Sequence, residues 1–161
     1  MLQQSIKQEI HDDIQGIWTT VLGIKETCWK CKKPTTLAAG LRFDCHVGIT
    51  QADDSNGFLI FDDDTSDIIA SVLNPVVRQQ CGVGVIRMRY SRTADANYLA
   101  NGCVHCDAIQ GNFPLRELID AAHANHGSEA KAHRAMTTLV RLRLPQWVMH
   151  ELERRVGDAH G

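Results

Sequence analysis

Two short stretches constrain this chain more than anything else in it. Cys28-Trp29-Lys30-Cys31 and Cys103-Val104-His105-Cys106 each place two thiols three positions apart. A Cys-x-x-Cys turn aims both sulfurs at one point, and two such turns make a four-thiolate set suited to a tetrahedral Zn²⁺. The expectation is one ion bound by Cys28, Cys31, Cys103 and Cys106, with the two halves of the chain folded around it. The competing reading is four buried, reduced thiols, because free cysteine is a common core residue. Four protein ligands leave zinc no open position for water, which points to a structural ion and away from hydrolysis at the metal.

The flanks of both pairs read as strands. Residues 17–27 are rich in β-branched and aromatic side chains and run into Cys28; residues 35–43 return after the Lys32-Lys33-Pro34 turn. Residues 82–90 and 98–100 repeat the pattern ahead of Cys103, with a turn over 91–97. In the first of these, Val85 and Arg87 are expected on one face, Ile86 and Met88 on the other. Strand, knuckle and strand is the form of a zinc ribbon, whose free backbone N–H groups stabilise the thiolates. A thioredoxin-type redox pair is disfavoured at Cys28, because no helix start follows Cys31.

Helices fill the remainder. Ile6, Ile10, Ile14 and Ile17 recur at helical spacing over residues 3–16. Asp64 or Thr65 is placed to cap a short helix carrying Ile68, Ile69, Val72 and Leu73, which Asn74-Pro75 stops. Pro114 is placed as the first residue of a helix striped by Leu115, Leu118, Ile119 and Ala122, ending at Asn125-His126-Gly127. Ser128 is placed to cap another short helix. Residues 139–144 alternate, with Val140, Leu142 and Leu144 on one face and Arg141 and Arg143 on the other. Pro145 then begins a helix that frays from Gly157. The chain thus reads as α+β: zinc-ribbon-like β-hairpins joined by a four-cysteine zinc site, with flanking helices. Residues 1–127 form the ribbon-like domain with an acidic insertion, and residues 128–161 a basic strand–helix segment.

Composition narrows the functional classes. The chain has 161 residues, 43% of them hydrophobic, and a formal net charge of −2. That is enough apolar material for one core and no global field for nucleic acid or membrane. No apolar run approaches the ~20 residues of a membrane span. The polar start has no signal-peptide core, so a cytoplasmic place in a bacterium or phage is expected, and there six cysteines point to metal rather than disulfides.

Other constellations are weaker. Asp44-Cys45-His46 offers a substitute ligand or a second site, and His123, His126 and His133 gather without an evident partner carboxylate. His105 is expected to point away from the metal, and Cys81 to be buried. Residues 44–67 are acidic with no Lys or Arg, and Asp53-Asp54-Ser55-Asn56-Gly57 is a turn. Their spacing does not fit an EF-hand. The closest fragment to an HNH nuclease is Asp44-Cys45-His46, which departs from the Asp-His pair that motif needs. The His-x-Glu and Pro-Cys-x-x-Cys of zinc deaminases are missing, as are a Walker loop, a nucleophile elbow and a dinucleotide fingerprint.

Two resemblances follow from these residues. Tyr98 to Phe113, with an aromatic, Asn101, the second Cys-x-x-Cys and Gln110-Gly111, resembles the second knuckle of bacterial zinc-ribbon-like proteins of uncharacterised function. Glu26 to Lys33 resembles their first knuckle, except that Lys32-Lys33 stands where a Gly often follows the second Cys. The resemblance implies a zinc-binding fold and no established activity. Residues 138–155 resemble the strand and first helix of a ribbon-helix-helix DNA-binding unit. That family would turn Leu139, Arg141 and Arg143 toward a major groove, as part of a dimer.

The function expected is that of a non-enzymatic interaction protein with structural zinc. The acidic stretch and the exposed Trp29 favour a protein partner. Lys30, Lys32 and Lys33 at the first knuckle, with Arg141 and Arg143 near the end, favour nucleic acid as the alternative. A metal-dependent nuclease is a minority reading resting on the spare histidines and aspartates. The same alternating strand near the C-terminus also offers a surface for a homodimer.

Overall fold

The structure, a computed structural model, describes residues 16–43, 57–127 and 129–159. The expected helix over residues 3–16 and the Asp53–Asn56 turn, like Cys45 and His46, lie outside the described residues. The described fold is α+β, with two antiparallel sheets and five helices.

The first sheet is built from β1 (Ile17–Thr27), β2 (Pro34–Phe43), β3 (Phe58–Ile60) and β7 (Thr137–Leu144). Its order is β3-β2-β1-β7. β1 and β2 form the expected hairpin, from Thr19 opposite Phe43 to Thr27 opposite Pro34. Thr19 to Gly23 and Thr35 to Leu41 are buried without alternation, so the middle of this hairpin is covered on both faces. The second sheet comprises β4 (Arg87–Ser91), β5 (Ala96–Gly102) and β6 (Ile109–Gln110), in that order.

Three helices close the core. α1 (Ser66–Val72) contributes Ile68 and Ile69, α3 (Asn112–His126) contributes Leu115 and Ile119, and α5 (Gln146–Ala159) contributes Val148, Met149 and Leu152. They pack with Val21, Leu41, Phe43 and Phe61 into one cluster. Arg155 of α5 reaches Asp67 of α1 with a two-pronged ion pair at 2.9 and 3.1 Å. No helix among the described residues is long and apolar enough to cross a membrane.

Several elements differ from the sequence expectation. Asn74-Pro75 does not merely stop α1; it starts α2 (Pro75–Cys81), with Asn74 Oδ1 accepting from Val77 N–H at 2.9 Å. An Asn before a Pro stops one helix and caps the next equally well. α3 begins two residues before Pro114, which still falls among the unpaired N–H groups of the first turn. Gly127 caps α3 in the left-handed conformation as expected, and α4 (Glu129–Ala135) follows. α5 continues past Gly157 to Ala159.

The strand expected over 82–90 is shorter. Gly82 is the left-handed cap of α2, and Val83 makes one parallel bridge to Thr36. Gly84 then passes so close to Gly102 that a Cβ on it would meet the Gly102 carbonyl oxygen at 2.1 Å. The sheet proper begins only at Arg87. β7 pairs with β1, and its register slips between Val21 and Leu22, which leaves Leu139 as an unpaired extra residue. The bulge turns Leu139 inward over Gly23, so Leu139 is buried and not outward beside Arg141 and Arg143.

Candidate metal centre

The two knuckles are the same turn built twice. Cys28 N–H donates to the Lys33 carbonyl at 2.9 Å, and Cys103 N–H to the Ala108 carbonyl at 2.9 Å. Lys32 N–H returns to the Cys28 carbonyl at 3.0 Å, and Asp107 N–H to the Cys103 carbonyl at 3.0 Å. Lys30 N–H points at Cys28 Sγ and His105 N–H at Cys103 Sγ, both at 3.4 Å. Each turn therefore aims a backbone dipole at its first sulfur.

The residue after each second cysteine is left-handed: Lys32 at φ 63° and Asp107 at φ 59°. Glycine is the residue that takes such a φ at no steric cost. Here side-chain contacts hold the conformation. Lys32 Nζ donates to the Trp29 carbonyl at 2.6 Å. Asp107 receives Arg87 Nη2 at 2.6 Å and Arg89 Nη2 at 2.7 Å. Arg89 is buried, and its guanidinium also bonds the Asp107 and Val85 carbonyls at 2.7 and 2.6 Å. The Arg89 and Arg87 guanidinium groups hold the Asp107 carboxyl down at about 2.

The four sulfurs meet. Sγ atoms of Cys28, Cys31, Cys103 and Cys106 all lie within 4.8 Å of one another. Cys28 faces Cys106 at 3.6 Å and Cys31 faces Cys103 at 3.7 Å. A tetrahedron with metal–sulfur bonds of ~2.3 Å has edges of ~3.8 Å, so the donor set fits a single tetrahedral metal ion. Cys28 and Cys103 are buried. Burial pushes the Cys28 thiol up, but the N–H groups of Cys31 and Lys30 outweigh it and bring it down to about 6. The Lys33 N–H lowers the Cys31 thiol, yet burial and the neighbouring sulfurs push it up to about 11. A cation held between the four sulfurs would offset the repulsion among thiolates this close.

Residues outside the knuckles steady the cluster. Gln110 Nε2 donates to Cys28 Sγ at 3.3 Å and to the Ala108 carbonyl at 3.1 Å. Val104 N–H donates to Thr35 Oγ1 at 3.0 Å, fastening the second knuckle to β2. His105 turns away from the sulfurs, with Nε2 2.9 Å from the Pro34 carbonyl oxygen. Gln110 and Asn101 stand in the stretch that resembles a zinc-ribbon knuckle, but nothing in the sequence assigns either a contact. Arg89 carries no sequence signal at all, being one of several arginines in a mixed strand.

The remaining site candidates fall elsewhere. Trp29 is 59% exposed and its indole N–H donates to the Ile109 carbonyl at 2.6 Å. Lys30, Lys32 and Lys33 are exposed on the same knuckle. Arg141 and Arg143 share a face as expected, but Trp18 of β1 lies between them, with guanidinium carbons 4.3 and 4.8 Å from its ring. Nearly the whole length of β1 separates that cluster from Cys28, roughly 30 Å of strand. Cys81 is half-buried and directs its thiol to the Leu139 carbonyl at 3.9 Å. His123 and His133 meet, Nε2 to Nε2 at 3.0 Å, while His126 is exposed. Among the described residues the four cysteines are the group of three or more side chains that can hold a metal ion. No family model, curated protein or solved structure matches the chain.

Proposed function

We propose that the protein is a non-enzymatic binding module whose hairpins are locked together by one structural Zn²⁺. The observation that carries this reading is the donor set: four sulfurs from two matching turns, at the separations of a tetrahedron's edges. All-thiolate tetrahedral sets suit zinc and iron–sulfur chemistry, and the closed set of four leaves no position for a catalytic water. Cys28, Cys31, Cys103 and Cys106 would hold the ion, which supplies a cross-link between segments 72 residues apart in the chain. Gln110 and the knuckle N–H groups would share the charge on its sulfurs.

The partner surface proposed lies on the knuckle side, where Trp29, Lys30 and Lys32 stand in solvent. Arg141 and Arg143 form a separate surface at the other end of β1, already stacked on Trp18. Elemental analysis of protein purified without added metal tests the central claim. One zinc per chain, with loss of structure when a chelator removes it, is the expected result. A folded, metal-free protein overturns the reading, and iron in place of zinc overturns the choice of ion.

A further inference from the structure

A groove of about 770 Å³ opens beside the first knuckle. Trp29, Tyr90, Tyr98, Phe113 and Pro114 line it, and Arg92 stands in its wall. These residues come from a knuckle, from both strands of the β4–β5 hairpin and the turn between them, and from the first turn of α3. Three of the rings stay in solvent: Trp29 is 59% exposed, Tyr90 54% and Phe113 71%. So much aromatic surface gathered in one concavity marks a binding site rather than a stray exposed residue.

Two of these rings are fixed, and their polar atoms are already used. The Trp29 N–H is bonded to the Ile109 carbonyl at 2.6 Å, and the Tyr90 hydroxyl donates to Asp95 Oδ1 at 2.5 Å. What they offer is faces, not donors. A polyproline peptide could use the same faces and set its carbonyls on the hydroxyls of Ser91, Thr93 and Tyr98, so charge decides between it and an unpaired base. An unpaired nucleobase asks only for a flat face, and aromatic side chains supply that without regard to sequence.

The charges favour the same partner. Arg92 is the ionic side chain lining the groove; the Asp95 carboxylate stands at its rim, engaged by the Tyr90 hydroxyl. The knuckle that carries Trp29 also carries Lys30, Lys32 and Lys33, all exposed. Gly111, the N-cap of the 15-residue helix α3, lies in the groove wall and no side chain caps the helix, so its positive end lies at the groove.

We propose that this groove binds single-stranded nucleic acid, with bases stacked on Trp29, Tyr90 and Phe113 and phosphates drawn to Arg92 and the knuckle lysines. It names the partner class for the knuckle-side surface and so rests on the binding-module reading.

The test is fluorescence anisotropy of an end-labelled oligothymidylate of about 15 nucleotides. Zinc-loaded protein is titrated at two salt concentrations, with a duplex of equal length and a proline-rich peptide as the other arms. Binding should weaken as salt rises. Phe113→Ala and Arg92→Ala lie away from the sulfurs and should each weaken binding about ten-fold at unchanged zinc content and melting temperature. Trp29→Phe should keep most of the affinity that Trp29→Ala loses. No binding by the zinc-loaded protein, or binding indifferent to Phe113 and Arg92, overturns the proposal. Tighter binding of the peptide or the duplex also overturns it and gives the groove to another partner. A folded protein that carries no zinc would instead overturn the structural-metal reading, which is read from metal content and not from the oligonucleotide.

Discussion

Asn101 completes the backbone of Ala38. Its Oδ1 accepts from the Ala38 N–H at 2.8 Å, and its Nδ2 donates to the Ala38 carbonyl at 3.0 Å. Both residues are buried, and Ala38 lies where the β1–β2 register slips past Ala39. One carboxamide thus stands in for a strand and fastens the second sheet to the first, two residues before Cys103. Asn101→Leu leaves a buried N–H and a buried C=O without partners. Each such group costs ~1–3 kcal/mol, so a loss of about 3 kcal/mol in chemical denaturation is expected. Asn101→Asp should fare no better, since its second oxygen would face the Ala38 carbonyl. A loss under about 1 kcal/mol for both would show that the clamp is idle.

Metal and fold should be lost together. Cys103→Ser removes one ligand from a closed set of four and leaves the second knuckle tied to the first hairpin chiefly by the Val104 N–H bond to Thr35. Because the site closes a long loop, the variant should melt far below the wild type and lose its zinc. Cys81→Ser should change melting by only a degree or two, since its thiol makes one long contact to Leu139. Equal effects of the two substitutions, measured by thermal melting and metal content, would remove the special place of Cys103.

Acid should weaken the protein through His133. His133 is 2% exposed, with its ring 4.3 Å from that of Phe58 and its Nε2 3.0 Å from that of His123. Burial, then the charges of His123 and Arg42, bring its pKa down from 6.5 to about 4. Between those two values the unfolded chain holds the proton and the folded chain does not. Stability therefore falls as pH drops through that window, by about 3 kcal/mol. Asp107, held at about 2 by Arg89 and Arg87, acts lower: its contribution is full above the usual carboxylate range and fades as pH falls toward 2. His133→Phe should make the stability profile shallower between pH 4 and 6.5, the slope that remains there belonging to proton competition for the four thiolates, and leave the lower limb in place. An unchanged slope in urea denaturation across that window would mean His133 titrates normally.

The sequence carried the four-cysteine cluster because its signal is local. Spacing within each Cys-x-x-Cys, and the β-branched runs beside it, prescribe two knuckles whatever lies between them. The strands of the first hairpin were legible for the same reason. What holds the knuckles in register was not. Asn101 meets Ala38 across 63 residues and Gln110 meets Cys28 across 82, and no periodicity marks such pairs. Arg89 reads as a surface strand residue until the left-handed Asp107 is seen to need it. The aromatic groove shows only Trp29 in the sequence, because Tyr90, Tyr98 and Phe113 reach it from separate elements. The inward turn of Leu139 depends on a bulge, and one extra residue reverses the face of everything before it.

The basic strand β7 gives the last prediction. Arg143 lies opposite Trp18 across the β1–β7 pair, and Arg141 lies opposite Thr20 on the same strand. Both guanidinium groups settle over the Trp18 ring, which is 39% exposed. A cation over an exposed indole contributes ~0.5–1 kcal/mol, so these side chains have a structural role before any partner arrives. Replacing both with Ala should cost about 1–2 kcal/mol, more than the ~0.5 kcal/mol of an ordinary surface change. Replacing both with Lys keeps the charge and loses the planar stack, and should recover only part of that loss. The decisive measurement is a double-mutant cycle in which Trp18→Ala is combined with the two Arg→Ala changes. Coupling of about 1 kcal/mol places the arginines on Trp18 in solution. Additive losses would detach them from the ring.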